Sequence, residues 1–137
     1  APDQGLSAEG IAETERIAGL AGEAGFGVSQ IRHSLKTRAR QTAEIFAGTL
    51  NPDQGIREVA GIKPLDDVAA YAAGIDPGED VMLVGHLPFM ERMTSFLITG
   101  SIDKPVVKFQ NSGIVCLDKD PESQAWVIQW TLMPKIG

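Results

Sequence analysis

The fold turns on Val81-Met82-Leu83-Val84-Gly85-His86-Leu87-Pro88. Val81 to Gly85 is apolar at nearly every position, the mark of a β-strand covered on both faces. Pro88 lacks an N–H and has a preset φ, so it suits the first turn of a helix. The stretch predicts a strand that passes almost directly into a helix, the repeating step of an α/β sheet. His86 stands at that turn. In open α/β sheets ligands bind beyond the carboxyl ends of the strands, and a helix N-terminus offers free N–H groups to an anion. A histidine there can donate a proton or hold a phosphoryl oxygen near neutral pH. The alternative is a turn histidine satisfied by backbone.

Outward from this stretch, helices and strands alternate. Ser7 reads as the N-cap of a helix that runs to about Ala24 and ends at Gly25 and Gly27. Val28 to His33 reads as a short strand. Ala39 to Leu50 reads as a helix with Ala39, Ala43, Phe46 and Ala47 on one face, stopped by Asn51-Pro52-Asp53. Ile56 to Val59 is a candidate strand, and Leu65 to Ala73 a candidate helix. Asp66 and Asp67 serve that helix as an N-cap pair or, alternatively, as a general acid. After the helix opened by Pro88 and closed by Thr99-Gly100, the pattern becomes β-rich. Val106 to Phe109, Gly113 to Leu117 and Trp126 to Met133 read as strands. Trp126 and Trp130 share one strand face and read as core. The expected fold class is α/β, a three-layer α/β/α sandwich around a mostly parallel sheet with an antiparallel edge.

Composition narrows the function. The 137 residues are the size of one domain, and 43% are hydrophobic, enough for one core. The formal net charge of −6 argues against a nucleic-acid surface. No apolar run approaches the roughly 20 residues that span a bilayer, so no membrane association is expected. The single cysteine, Cys116, lies in the apolar run Gly113 to Leu117 and reads as a buried core thiol, which fits a reducing cytoplasm. One cysteine and two histidines without ligand spacing predict no metal site.

A second basic, strand-to-helix junction lies at Ser34-Leu35-Lys36-Thr37-Arg38-Ala39-Arg40-Gln41-Thr42. It also falls on the expected ligand side of the sheet. Arg38 can grip a phosphate bidentately through its planar fork. Lys36, Arg38 and Arg40 alternatively form a solvated helix face.

Taken together these segments resemble the histidine phosphatase superfamily. Ser34-x-x-x-Arg38-Ala39-x-Gln41-Thr42 is similar to that family's second motif, whose arginine binds phosphate. Val84-Gly85-His86-Leu87-Pro88 is similar to its last motif, whose histidine is the second catalytic imidazole. Leu6-Ser7-x-x-Gly10, Gly61-Ile62-Lys63-Pro64, Phe109-Gln110-Asn111-Ser112-Gly113 and the final strand resemble the SixA branch in order and spacing. The resemblance covers essentially the whole chain and implies a phosphoglycerate-mutase-like fold.

The resemblance also implies an activity. It is a metal-independent phosphatase without cofactor, which removes phosphate from a phosphohistidine-bearing protein such as a histidine phosphotransfer domain through a phosphohistidine enzyme intermediate. His86 is then catalytic, while Arg38 and the Leu87 backbone N–H bind phosphate. Alternatives are a small-molecule phosphoester phosphatase of the same superfamily or a non-catalytic phosphate-binding homologue. The family attacks with a histidine in an Arg-His-Gly motif at the end of its first strand, and no such motif occurs here. Arg32-His33 is followed by Ser34, so His33 and Ser34 are read as pocket neighbours. The expectation is a single domain over residues 1–137 that lacks its first strand. That strand would precede Ala1, and its absence should leave a strand-wide gap between the parallel strands near Val28 to Ile31 and Val81 to Val84.

Overall fold

The computed structural model describes residues 3–136. Helix α1 (Ala8–Glu23) is capped by Ser7, whose Oγ accepts the Gly10 N–H at 3.0 Å. Strand β1 (Gln30–His33) leads through Ser34 to Lys36 into α2 (Thr37–Leu50), and α2 ends on left-handed Asn51. Strand β2 (Ile56–Glu58), helix α3 (Val68–Ala72), strand β3 (Val81–Val84) and helix α4 (Phe89–Thr99) follow. Two strands, β4 (Ile114–Lys119) and β5 (Trp126–Leu132), close the chain.

Three of these expectations need correcting. The helix expected over Leu65 to Ala73 is only Val68–Ala72. Asp66 spends its carboxylate on the Lys63 N–H (2.9 Å) and Asp67 caps the helix through Ala70 N–H (3.2 Å), so the first turn starts later. Val106 to Phe109 is not a strand. The Phe109 N–H goes to a Glu91 carboxylate oxygen at 3.2 Å, and β-propensity without a pairing partner makes no sheet. Cys116 is half-buried at a strand edge rather than sealed in the core.

Parallel pairing sets the sheet order β2-β1-β3, with Ile31 beside both Ile56 and Met82. Alternation along β3 then serves two cores. Met82 and Val84 pack with Ile17, Ala18, Ala21, Ala43 and Phe46 of the α1/α2 layer. Leu83 packs with Phe89, Met93, Val68 and Ile62 of the α3/α4 layer. Period-two side-chain alternation converts one apolar run into two buried faces, which is the three-layer arrangement.

The antiparallel pair β4-β5 is not hydrogen-bonded to the parallel sheet. It is held instead by side chains. Ile114, Trp130 and Leu132 join the α1/α2 core, and Trp130 meets Phe26 edge to face at 5.0 Å. Between β3 and β4 runs a cleft of about 1160 Å³. Val81 to Val84 line one wall without a break, and Ile114 to Leu117 line the other. Consecutive residues of a strand point to opposite faces, so an unbroken run can line a space only along the strand's edge. The cleft is a slot between two strand edges. It does not lie between the β1 and β3 segments, which pair directly, but at the opposite edge of β3.

Which amides face the slot follows from pairing. The Val84 carbonyl accepts the Ser34 N–H at 3.1 Å, so Val84 and, by alternation, Met82 face β1. Val81 and Leu83 face the slot. In this 137-residue chain, hydrogen exchange followed by NMR is expected to be fast at the Val81 and Leu83 amides and slow at the Met82 amide between them. Equal protection at all three positions would mean that the β3 edge is covered.

Candidate active site

The β1–β3 pairing continues one residue past β1, through Ser34 N–H to Val84 O. It thereby levels the two strand ends and brings the side chains just beyond them together. Ser34 Oγ and His86 Nε2 are 2.5 Å apart, and both residues are buried. The Lys36 N–H approaches the same Ser34 oxygen at 3.4 Å. Ser34 Oγ and His86 Nε2 thus share one hydrogen bond, whose direction is set by the His86 tautomer. The backbone at His86 is fixed from the other side, where its carbonyl accepts the Met90 N–H at 3.0 Å in the first turn of α4.

Gly85 lets Met90 pack closely beside this histidine. A Cβ there would come within 2.9 Å of Met90 Sδ and 3.8 Å of the Ile62 carbonyl. The loop after β2 therefore lies against the end of β3. The Leu87 N–H, at the mouth of the cleft, has no hydrogen-bond partner among the described residues.

Arg38 lies in the first turn of α2, is exposed and lines the cleft with His86. Asp3 caps this helix, accepting the Thr37 N–H at 3.0 Å and the Thr37 hydroxyl at 2.7 Å. These two bonds hold the Asp3 carboxyl below its usual range. Arg40, also exposed, does not line the cleft. His33 is buried, its Nδ1 donates to the Ser34 carbonyl at 2.8 Å, and it too does not line the cleft. Arg32 points to the α3 side of the sheet and pairs with Glu79 at 2.9 Å.

The sequence reading singled out Phe109 to Gly113 by resemblance but assigned no role to this wall of the cleft. The Thr14 and Ser112 hydroxyls meet at 2.8 Å, with Ser112 in the left-handed region at φ 69°. Gln110 makes two hydrogen bonds to the Lys135 backbone, at 2.8 and 2.9 Å. A serine held at positive φ is unusual for a non-glycine residue, and only the Ser112-Gly113 pair hinted at a turn.

Electrostatically the site awaits an anion. Burial first, then the charges of Arg38 and Lys36, push the His86 imidazole below its ordinary 6.5. Among the described residues the only ion pair is Arg32–Glu79, so Arg38 and Lys36 form no direct salt bridge, although the Asp3 carboxylate lies near enough to feel both charges. An oxyanion at the mouth would meet a guanidinium, an imidazole and a free N–H, a set suited to phosphoryl oxygens.

No family model and no curated protein matches this chain. Solved structures do. The protein histidine phosphatase SixA complexed with tungstate superimposes with a TM-score of 0.79 at 22% identity, over 95% of this chain and 84% of that one. A SixA protein from Agrobacterium tumefaciens, assigned as a phosphohistidine phosphatase, gives 0.76 at 28% identity, over 95% and 83%. The architecture is thus the phosphoglycerate-mutase-like α/β fold. Together these matches support a SixA-type member of the histidine phosphatase superfamily.

The depressed His86 value gives a signed prediction. Removing a neighbouring positive charge relieves repulsion on the imidazolium, so Arg38→Ala should move the His86 midpoint upward in an NMR titration. An unchanged midpoint would place the Arg38 charge too far away to act on the site. Because the neutral ring is favoured in the fold, His86 contributes stability above pH 6.5 that is lost as pH falls through its folded midpoint.

Proposed function

We propose that this domain removes the phosphoryl group from phosphohistidine on a protein, and that the substrate is a histidine phosphotransfer domain. The observation that carries the reading is the Ser34–His86 contact at the carboxyl ends of β1 and β3, with His86 and Arg38 lining one cleft. The likeness to SixA structures supports the same chemistry. In the reaction an imidazole nitrogen attacks phosphorus and the substrate's P–N bond breaks. The substrate imidazole leaves with a proton, and water then releases inorganic phosphate from the enzyme imidazole. Arg38, His86 and the Leu87 N–H hold the phosphoryl oxygens throughout. All of this charge stabilisation comes from the protein, so no metal takes part.

The chain's two histidines leave the attacking imidazole unassigned. His33 is buried with its Nδ1 on the Ser34 carbonyl and does not line the cleft, and on this reading His86 is the group that binds and protonates. We propose that the slot between β3 and β4 receives a β-strand ending in Arg-His-Gly. A strand laid there would pair with the Val81 and Leu83 edge and deliver its last residues beside His86. The domain over residues 1–137 is, on this reading, one domain short of its first strand.

Anion binding tests the assignment without needing turnover. Arg38→Ala should weaken inorganic phosphate or vanadate in a calorimetric titration by about 1.5–3 kcal/mol, the usual worth of a hydrogen bond to a charged group. Arg40→Ala should cost much less. Affinity should rise as pH falls, because the anion favours the imidazolium that Arg38 and Lys36 disfavour in the empty site. Equal affinity in the wild type and Arg38→Ala would remove Arg38 from the site.

A further inference from the structure

Every hydrogen-bonding group of Ser34 is engaged. Its N–H donates to the Val84 carbonyl at 3.1 Å, and its carbonyl accepts from His33 Nδ1 at 2.8 Å. Its Oγ lies 2.5 Å from His86 Nε2 and accepts the Lys36 N–H at 3.4 Å. Ser34 is 3% exposed and His86 8%. A side chain whose backbone is pinned on both sides is a fixed point, and a buried ring bonded to that point keeps one orientation. The backbone under the ring is held as well, because the His86 carbonyl accepts the Met90 N–H.

The two nitrogens of His86 therefore differ. Nε2 is engaged by Ser34. Nδ1 has no hydrogen-bond partner among the described residues, yet no buried side-chain nitrogen or oxygen among them lacks one. Nδ1 is thus open, and the space beside this buried ring is the cleft that His86 lines with Arg38. The charged groups that act on the ring, Arg38 and Lys36, are both positive. On α4, Glu91 is bonded to the Phe109 N–H, and no carboxylate acts on the ring. A hydroxyl suits this place better than a carboxylate would. It accepts from Nε2–H or donates to bare Nε2, so it holds the ring in each protonation state without adding a negative charge to compete with an anion.

We infer that Ser34 is a positioning residue: it holds His86 by Nε2, so that Nδ1 is the nitrogen turned to the phosphoryl group and the one that carries the transferred proton. The inference rests on the phosphatase reading and deepens it. In the step concerned, the phosphoryl group passes to the attacking imidazole and the substrate's P–N bond breaks. The electron pair of that bond stays with the substrate nitrogen, which takes the Nδ1 proton of the His86 imidazolium and leaves neutral. His86 keeps its other hydrogen on Nε2 and donates it to Ser34 Oγ.

The test uses NMR of histidine labelled at both ring nitrogens, which reports the two separately. Wild type, Ser34→Ala and Ser34→Thr are compared with and without inorganic phosphate, below the His86 midpoint, where both nitrogens carry protons. Without phosphate, the wild type should show the Nε2–H signal sheltered by Ser34, with Nδ1–H lost to exchange with water. Phosphate should make Nδ1–H visible and leave Nε2–H in place. Ser34→Ala should lose the Nε2–H signal and bind phosphate roughly tenfold more weakly, the scale of a lost hydrogen bond to a charged group. Ser34→Thr keeps the hydroxyl and should restore both. The bond from residue 34 N–H to Val84 does not use the side chain, so slow exchange of that amide confirms the fold in each variant. A phosphate-induced change at Nε2 in place of Nδ1 would overturn the inference. So would a folded Ser34→Ala variant that matches the wild type in both readouts. A wild type that binds no phosphate would sink the phosphatase reading and the role of Nδ1 with it, while the Nε2–H signals of wild type and Ser34→Ala would still decide whether Ser34 holds the ring.

Discussion

The site depends on one backbone hydrogen bond, from Ser34 N–H to the Val84 carbonyl. Parallel strands pair in register only as far as their hydrogen bonds run, and this one lies just past the end of β1. It fixes where the chain turns off the sheet on both strands at once. From that level Ser34 Oγ reaches His86 Nε2, Arg38 begins the next helix, and His86 is one residue from Leu87 and its free N–H. Had β1 slipped by one residue, Ile31 would have left the α1/α2 core and Arg32 entered it. Its complete burial opposes that slip. The burial of an isoleucine two residues inside the strand therefore sets the geometry of a polar site at its end.

The same sheet carries an inconsistency that packing alone does not remove. β3 packs against a helix layer on each face, its residues partly buried, yet is paired on one edge. Its slot-facing N–H and C=O groups meet water or an incoming strand, because backbone polar groups are not left unpaired without cost. β4 presents the matching edge on the far side, and the α1/α2 layer spans both halves through Ile114, Trp130 and Leu132. The two halves are thus held apart at a fixed separation by side chains. Two strand edges lining one slot differ from the blunted edges that soluble sheets usually present, which is the feature the proposed strand insertion requires.

Much of this was legible in the residues. The strand–turn–helix step at Val81 to Pro88, the cap at Ser7 and the α2 face at Ala39, Ala43 and Phe46 all follow from period and cap chemistry, and the structure has each of them. Val106 to Phe109 was misread because strand propensity says nothing about whether a partner edge is available. The slot's location was misread because order along the chain does not give order across the sheet. β1 and β3 are separated by β2 in sequence yet are neighbours in space. In the site, the positions of His86 and Arg38 on strand-to-helix turns were readable. The contact between Ser34 and His86 was not, since it depends on register over 52 residues of intervening chain. Asp3 as the cap of α2 was equally hidden, being a contact over 34 residues.

The charge distribution explains how an acidic protein can serve an anionic ligand. Net charge acts at long range and is screened within about 8–10 Å at ordinary ionic strength. Within that distance of His86 the relevant charges are those of Arg38 and Lys36, and they are already strong enough to disfavour a third positive charge on the imidazole. Burial first, and then the charges of Arg38 and Lys36, lower the His86 imidazole, and an anion bound on the proposed reading would offset the second contribution. Binding and proton uptake are therefore coupled. The anion that creates the imidazolium is also the group that needs it, since a phosphoryl group passing between imidazoles develops negative charge on its oxygens and requires a proton for the departing nitrogen. Burial favours neutral His86 in the empty site, and on the proposed reading a bound anion would oppose that preference.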